Sequence, residues 1–183
     1  VTTIATSLAL LLGIGGASNY NLEMGAGQEK KASGIAGTAL SSLVISGVIL
    51  VAIVLVFLKP LLILFGATTD VMPYAVDYTG ITALGLPFYI LSVGGNHVVR
   101  ADRSPTYSMT CMLTGAIINT ILDPLFIFGF HWGIKGAAWA TVIGQLVSCG
   151  LDFIFHVVCN RRDINTGLAY LRPKPRLIKG IYA

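Results

Sequence analysis

The 183-residue sequence predicts an all-α fold, a polytopic transmembrane helix bundle with about five spans. Three observations carry that expectation. Charged residues make up 11% and hydrophobic residues 55%, whereas ordinary soluble domains carry about 25% charged residues. The mean hydropathy is +0.79, so there are too few polar groups to cover a soluble globule and too many apolar ones for a disordered chain. The apolar residues also run in stretches roughly twice as long as the ~10-residue alternating strands of a membrane barrel, which selects helices.

Five segments stand out, at about 1–18, 35–58, 72–98, 107–130 and 136–158. Each complete one can cross a roughly 30 Å hydrocarbon core at about 1.5 Å per residue. The first runs from Ile4 to Gly16 with no basic flank before it. It therefore reads as the tail of a span rather than a signal peptide, and the chain as part of a longer protein. The second holds the unbroken apolar run Val48 to Phe57. The third carries Pro87 at mid-span and the fourth Pro124 toward its far end; each proline removes a backbone donor and tends to bend its helix. In the fifth, Gly136, Ala140, Gly144 and Ser148 recur every four residues, a stripe of small side chains that permits close helix approach.

The links between segments are short and mostly polar. Because consecutive spans alternate direction, residues 19–34, 99–106 and the tail 159–183 share one side of the membrane. That side holds ten Lys and Arg residues (Lys30, Lys31, Arg100, Arg103, Arg161, Arg162, Arg172, Lys174, Arg176 and Lys179), against Lys59 and Lys135 on the other. Cytoplasmic loops are the ones enriched in Lys and Arg, so these three segments are expected in the cytoplasm, with residues 1–158 as a membrane lobe and 159–183 as a basic linker. Topology and attraction to anionic lipid account for the net charge of +4, without recourse to nucleic acid. Cys111, Cys149 and Cys159 form no CxxC pair, and read as small buried hydrophobes rather than a metal or disulfide framework.

The chemistry concentrates in the fourth and fifth segments. Asp123 is an acid inside an apolar span, a costly placement that by default marks a cavity, a partner or an ion path. Asn119 lies four residues earlier on the same face, continued by Gly115 and Cys111. Counted from the hairpin at 131–135, Asp123 lies roughly 10 Å before the end of its span and Thr141 roughly 8 Å into the next. The two share a level. Asn119, Asp123 and Thr141 offer oxygen ligands for a small cation, or Asp123 alone binds a proton, since a low dielectric favours its neutral form. The opposing reading makes Asp123 a structural hydrogen-bond partner at the Pro124 break, and Thr141 a self-bonded helix threonine.

Other polar residues are weaker candidates. Tyr78, Thr82 and Tyr89 either line a substrate cavity or form an interfacial aromatic belt, and Gln145 joins Thr141 in a second polar pair. Asp77 reads as interfacial. Asp152, near the end of the fifth segment, is expected to reach water. His97, His131 and His156 sit at span ends without ligand-like spacing. No nucleophile–base pair or metal cluster appears at mid-span, which argues against an intramembrane enzyme.

The stretch from Asn119 through Asp123-Pro124-Leu125-Phe126 to Phe130, then Trp132-Gly133-Ile134-Lys135-Gly136-Ala137-Ala138-Trp139-Ala140-Thr141, resembles the multidrug and toxic compound extrusion (MATE) family. Met24-Gly25-Ala26-Gly27 with Glu29-Lys30-Lys31-Ala32 is similar to that family's first cytoplasmic loop, and Arg100-Ala101 with Pro105 to its next. Asn19-Tyr20 and Arg103 depart from the residues usual at those loops. The resemblance implies a twelve-span transporter of two six-span lobes, of which this chain would supply the second to sixth spans of the first. It implies export of organic, often cationic compounds in exchange for protons or sodium, with no other cofactor. It also implies coupling-ion roles for Asp123, Asn119 and Thr141. A flippase or exporter of lipid-linked carbohydrate would share the topology but call for basic residues in its cavity. A static membrane scaffold would carry no ligand-stimulated ion flux.

Overall fold

The computed structural model describes residues 1–102 and 104–158, with side chains to residue 154. The tail 159–183, with Cys159 and its six basic residues, lies outside the described residues, as do Arg103 and the side chain of His156. Among the described residues there are six α-helices: α1 Thr2–Gly25, α2 Glu29–Val56, α3 Leu58–Leu64, α4 Met72–Ala101, α5 Pro105–Pro124 and α6 Gly133–Val158. A single turn of π-helix, Leu125–Gly129, extends α5. Among the described residues, Glu29–Val56, Met72–Ala101, Pro105–Gly129 and Gly133–Ile154 are long and apolar enough to cross a bilayer. The first helix falls outside that group because Thr, Ser, Gly and Asn interrupt its leucines. It nevertheless runs 24 residues, seven past the predicted end of its apolar core. Asn19 donates to the Gly15 carbonyl at 3.0 Å and Tyr20 is buried, so residues expected in a linker are helical.

Helix α4 is the hub, packed against α1, α2, α5 and α6. The paired residues fix directions. Thr6 meets Tyr89 and Tyr20 meets Asp102, so α1 and α4 run parallel. Lys135 meets Asp77, Ser148 meets Ser92 and Asp152 meets Asn96, so α6 is parallel to α4 as well. Helix α2 runs against α4, with Gly47 opposite Pro87 and Leu43 opposite Gly94, and α5 runs against α6, with Gly115 opposite Gly144 and Tyr107 opposite Leu151. This is the alternation expected of consecutive spans. It brings Lys30, Lys31 and Arg100 to one end and Lys59 and Lys135 to the other.

The helices approach closely because small residues meet at their crossings. A Cβ added to Gly13 would lie 2.7 Å from the Gly94 Cα, so α1 and α4 touch backbone to backbone. Leu43 and Ile90, both fully buried, fill the space beside this crossing with Ala5, Ala9 and Leu12. A second apolar cluster near the basic end joins Tyr20, Ile35, Ala36 and Val98. Above it the Tyr20 hydroxyl donates to Asp102 at 2.7 Å, which explains a tyrosine at one of the unusual loop positions. The turn after α1 requires Gly27, whose φ of +73° suits glycine. Outward-facing Ile45, Val48, Ile49, Leu113, Ile117 and Ile121 are about half exposed, as side chains solvated by hydrocarbon must be.

The predicted small-residue stripe of α6 forms the seam with α5. Gly136, Ala140, Gly144 and Ser148 are all buried. A Cβ on Gly144 would sit 2.9 Å from the Gly115 carbonyl oxygen and 3.0 Å from the Asn119 Cβ. Overpacking at such a seam costs on the order of 3 kcal/mol. In the full-length protein, Gly144→Val is expected to lower thermal stability in detergent by several degrees or abolish the folded fraction. Gly150→Ala, with nothing within 4 Å of its Cβ, leaves stability unchanged or slightly raised.

Candidate functional site, two polar clusters along one helix seam

The outer cluster begins with the break in α5. Pro124 has no amide hydrogen to give, and the backbone after it widens into the π-turn, where Phe130 N–H reaches the Leu125 carbonyl at 3.0 Å. Turns of this kind frequently mark functional sites. Phe126, Phe130 and Trp132 close over it with ring centroids 5.4–5.8 Å apart, and Gly136 of α6 lies against the Phe126 backbone. These contacts set the register of α5 on α6. Asn119 lies opposite Gly144 and Phe126 opposite Gly136, so Asp123 falls level with the turn holding Ala140 and Thr141.

Within this cluster Asn119, Asp123, Thr141 and Gln145 are half-buried. The Asn119 amide nitrogen, Asp123 Oδ1 and Gln145 Oε1 are buried atoms without a hydrogen-bond partner among the described residues. Buried polar atoms are normally paired, and an unpaired one costs about 1–3 kcal/mol. Three of them, two on the α5 side of α6 and one on its α4 side, distinguish this region from the self-satisfied threonines of the lipid face, such as Thr120, which donates to the Ala116 carbonyl at 2.9 Å. Thr141 donates to the Ala137 carbonyl at 3.0 Å; its oxygen lone pairs remain free to face a cation. A carboxylate, an amide oxygen and a hydroxyl are hard donors of the type that suits a proton or a small alkali cation.

The cavity candidates separate. Tyr78 is 40% exposed near the start of α4. Tyr89 shares a hydrogen bond with Thr6 of α1 at 2.9 Å. Gln145 points its Oε1 against Gly85 of α4, where a side chain would clash, so it sits in the α4–α6 seam. Thr82 bonds its own backbone at Tyr78. Asp77 pairs with Lys135 at 3.2 Å with both side chains well exposed; such a pair contributes about 0–1 kcal/mol.

The inner cluster corrects one expectation. Asp152 does not reach water: it is 3% exposed, because α4 and α5 close over it. It accepts from Asn96 Nδ2 at 2.9 Å and from Ser92 Oγ at 3.2 Å, while its Oδ1 has no hydrogen-bond partner among the described residues. Ser92 and Ser148 share a hydrogen bond of 2.7 Å. The Asn96 amide oxygen accepts from Ser108, and Ser108 accepts from Arg100 Nε at 3.0 Å. A signal for this cluster was present: Asp152 continues the α6 stripe one step beyond Ser148, and Ser92, Asn96 and Arg100 keep the same four-residue spacing on α4.

Fold and site together define a polytopic helical membrane protein whose polar groups are gathered along an internal seam, the layout of a transporter lobe. A family model described as MatE matches residues 1–125. The chain belongs to the MATE family of membrane transporters. It is 30% identical over 172 residues to the multidrug export protein MepA of Staphylococcus haemolyticus, covering 94% of this chain and 38% of that one. It is 27% identical to MepA of Staphylococcus aureus strain NCTC 8325, covering 100% and 40%. Solved structures titled as the inward-facing and outward-facing conformations of a multidrug resistance MATE family transporter match with TM-scores of 0.89 and 0.88 at 25% identity, each over 97% of this chain and 40% and 39% of theirs. A MATE crystal structure in a bent conformation gives 0.91 at 25% identity, over 98% and 40%. The chain thus spans about 40% of the length of the curated relatives it matches.

The inner network ties three helices through Asn96, which both donates to Asp152 and accepts from Ser108. Asn96→Ala is expected to destabilise the full-length transporter by about 2–3 kcal/mol, because it strips partners from two buried groups. Thr120→Ala, on the lipid face, changes it by less than about 0.5 kcal/mol. Thermal unfolding in detergent of the two variants beside the parent checks the contrast.

Proposed function

We propose that the full-length protein is a cation-coupled exporter of organic, often cationic compounds, and that this chain supplies most of its N-terminal six-helix lobe. The names of the MepA relatives support multidrug export. The unpartnered Asp123 oxygen, beside the unpartnered Asn119 amide and level with Thr141, is the observation that carries ion coupling. A proton on Asp123, or a sodium ion held by the Asp123 carboxylate with the amide and hydroxyl oxygens of Asn119 and Thr141, satisfies the unpartnered Asp123 oxygen in one conformation better than in the other. The ion then biases the alternating equilibrium by that difference in affinity. The drug occupies an apolar and aromatic cavity bounded by this lobe and the second one, oriented by few polar groups; Tyr78, Tyr89 and Gln145 are its weaker candidates on this side.

The near-equal likeness to inward- and outward-facing structures supports a lobe that moves as one body. Its small-residue crossings leave little room for internal sliding. Distribution of Lys and Arg supports a plasma-membrane orientation with residues 19–34, 99–106 and 159–183 in the cytoplasm. No cavity-facing basic residue among the described mid-span positions favours the carbohydrate-flippase alternative.

The test is drug transport by full-length protein in membrane vesicles under an imposed proton or sodium gradient. Asp123→Asn is expected to lower gradient-driven efflux by about tenfold or more while drug binding persists. Efflux and ion dependence equal to those of the parent would remove Asp123 from the coupling mechanism.

A further inference from the structure

We propose that Asp152 is a second proton-binding carboxyl, in the opposite half of the membrane from Asp123. The proposal depends on the inner cluster alone and stands whether or not Asp123 couples ions. Asp152 lies eleven residues beyond Thr141 on α6, about 16 Å along the helix axis, and only 3% of it is exposed.

Among the described residues, the groups facing it come from every helix packed against it. From α4 come Ser92 and Asn96, with Arg100 one link further out. From α5 come the Cys111 thiol and, beside it, Tyr107, whose hydroxyl donates to the Leu151 carbonyl at 3.1 Å. On α6 itself Cys149 and Ser148 are adjacent. Arg100 spends its Nε on Ser108 and its Nη2 on the Met112 sulfur at 3.5 Å rather than on the carboxyl. Ser92 and Asn96 both donate to Oδ2; among the described residues Oδ1 has no hydrogen-bond partner of its own, and the polar group beside the carboxyl from α5 is the Cys111 thiol, a weak donor. An anion buried in hydrocarbon requires donors at both oxygens or a cation in contact; a neutral acid does not.

The two serines supply the means of exchange. Either hydroxyl of the Ser92–Ser148 pair can be the donor. With Asp152 ionised, Ser148 donates to Ser92 and Ser92 donates to Oδ2. With a proton on Oδ2, Asp152 donates to Ser92 and Ser92 donates to Ser148. Uptake of one proton from water and reversal of two hydroxyls interconvert the states, with no heavy atom displaced. The Arg100–Ser108–Asn96 chain holds the Asn96 amide against the carboxyl and runs to the exposed basic end of α4, the end of the lobe nearest to Asp152 from which water would deliver the proton.

The experiment uses the full-length transporter in lipid vesicles and records infrared difference spectra between acid and alkaline pH. The parent is expected to show the carbonyl stretch of protonated carboxyls. Asp152→Asn is expected to lose about one carboxyl-equivalent of that signal, which Asp123→Asn retains. Ser92→Ala, which keeps every carboxyl and guards against misfolding of the first variant, is expected to shift the Asp152 band. A pH-difference signal identical in the parent and Asp152→Asn would overturn the proposal. So would a band unmoved by Ser92→Ala.

Discussion

Hydrocarbon offers no hydrogen bonds, and that constraint organises everything in this lobe. A polar side chain in a membrane helix must turn inward, bond its own backbone, or remain unsatisfied at a cost. The chain uses all three outcomes in different places. Thr110, Thr114 and Thr120 on the outer face of α5 each bond the carbonyl four residues back. Ser92, Asn96, Ser108, Ser148 and Asp152 turn inward and bond one another. Among the described residues Asn119, Asp123 and Gln145, and Asp152 at one of its two oxygens, are left with buried, unpaired atoms. The last group is where a solute has something to gain by arriving.

Glycine makes the inward solution possible. Helices that carry large side chains at their crossings stand about 8–10 Å apart. The Gly115–Gly144 and Gly13–Gly94 meetings bring backbones nearer than that allows for any residue with a Cβ. Because α5 and α6 close at Gly115 and Gly144, polar side chains on either side of the meeting point are held against the seam. Asn119 and Asp123 emerge toward the aromatic end, and Ser148 and Asp152 toward the basic end. Packing and the placement of both polar clusters are therefore one structural fact: a larger residue at Gly144 disturbs both at once.

Much of this was legible in the sequence, because hydropathy alone locates apolar helices and a four-residue period locates one helix face. The α6 stripe and the Asn119–Asp123 face follow from those two rules and lie where the rules put them. The inner network was not foreseen. Its members are separated by 56 residues from Ser92 to Ser148 and by 12 from Asn96 to Ser108. Reaching them requires the register of three helices, which no single period encodes. Asp152 looked solvent-bound because it lies near a span end; its burial follows from α4 and α5 covering that end. The helical residues 19–25 were hidden for a similar reason, since Tyr20 is held by tertiary burial and by Asp102 rather than by apolar periodicity.

The central proposal is that the Asn119–Asp123 face of α5, which lies along α6, is reached from water in the working transporter while Ile117 and Ile121 face lipid. Single cysteines at 117, 119, 121 and 123, placed in full-length protein freed of its native thiols and embedded in membranes, test it directly with a membrane-impermeant maleimide. The account predicts labelling of Asn119→Cys and Asp123→Cys and none of Ile117→Cys or Ile121→Cys. Labelling of the isoleucine positions, with 119 and 123 silent, would contradict it.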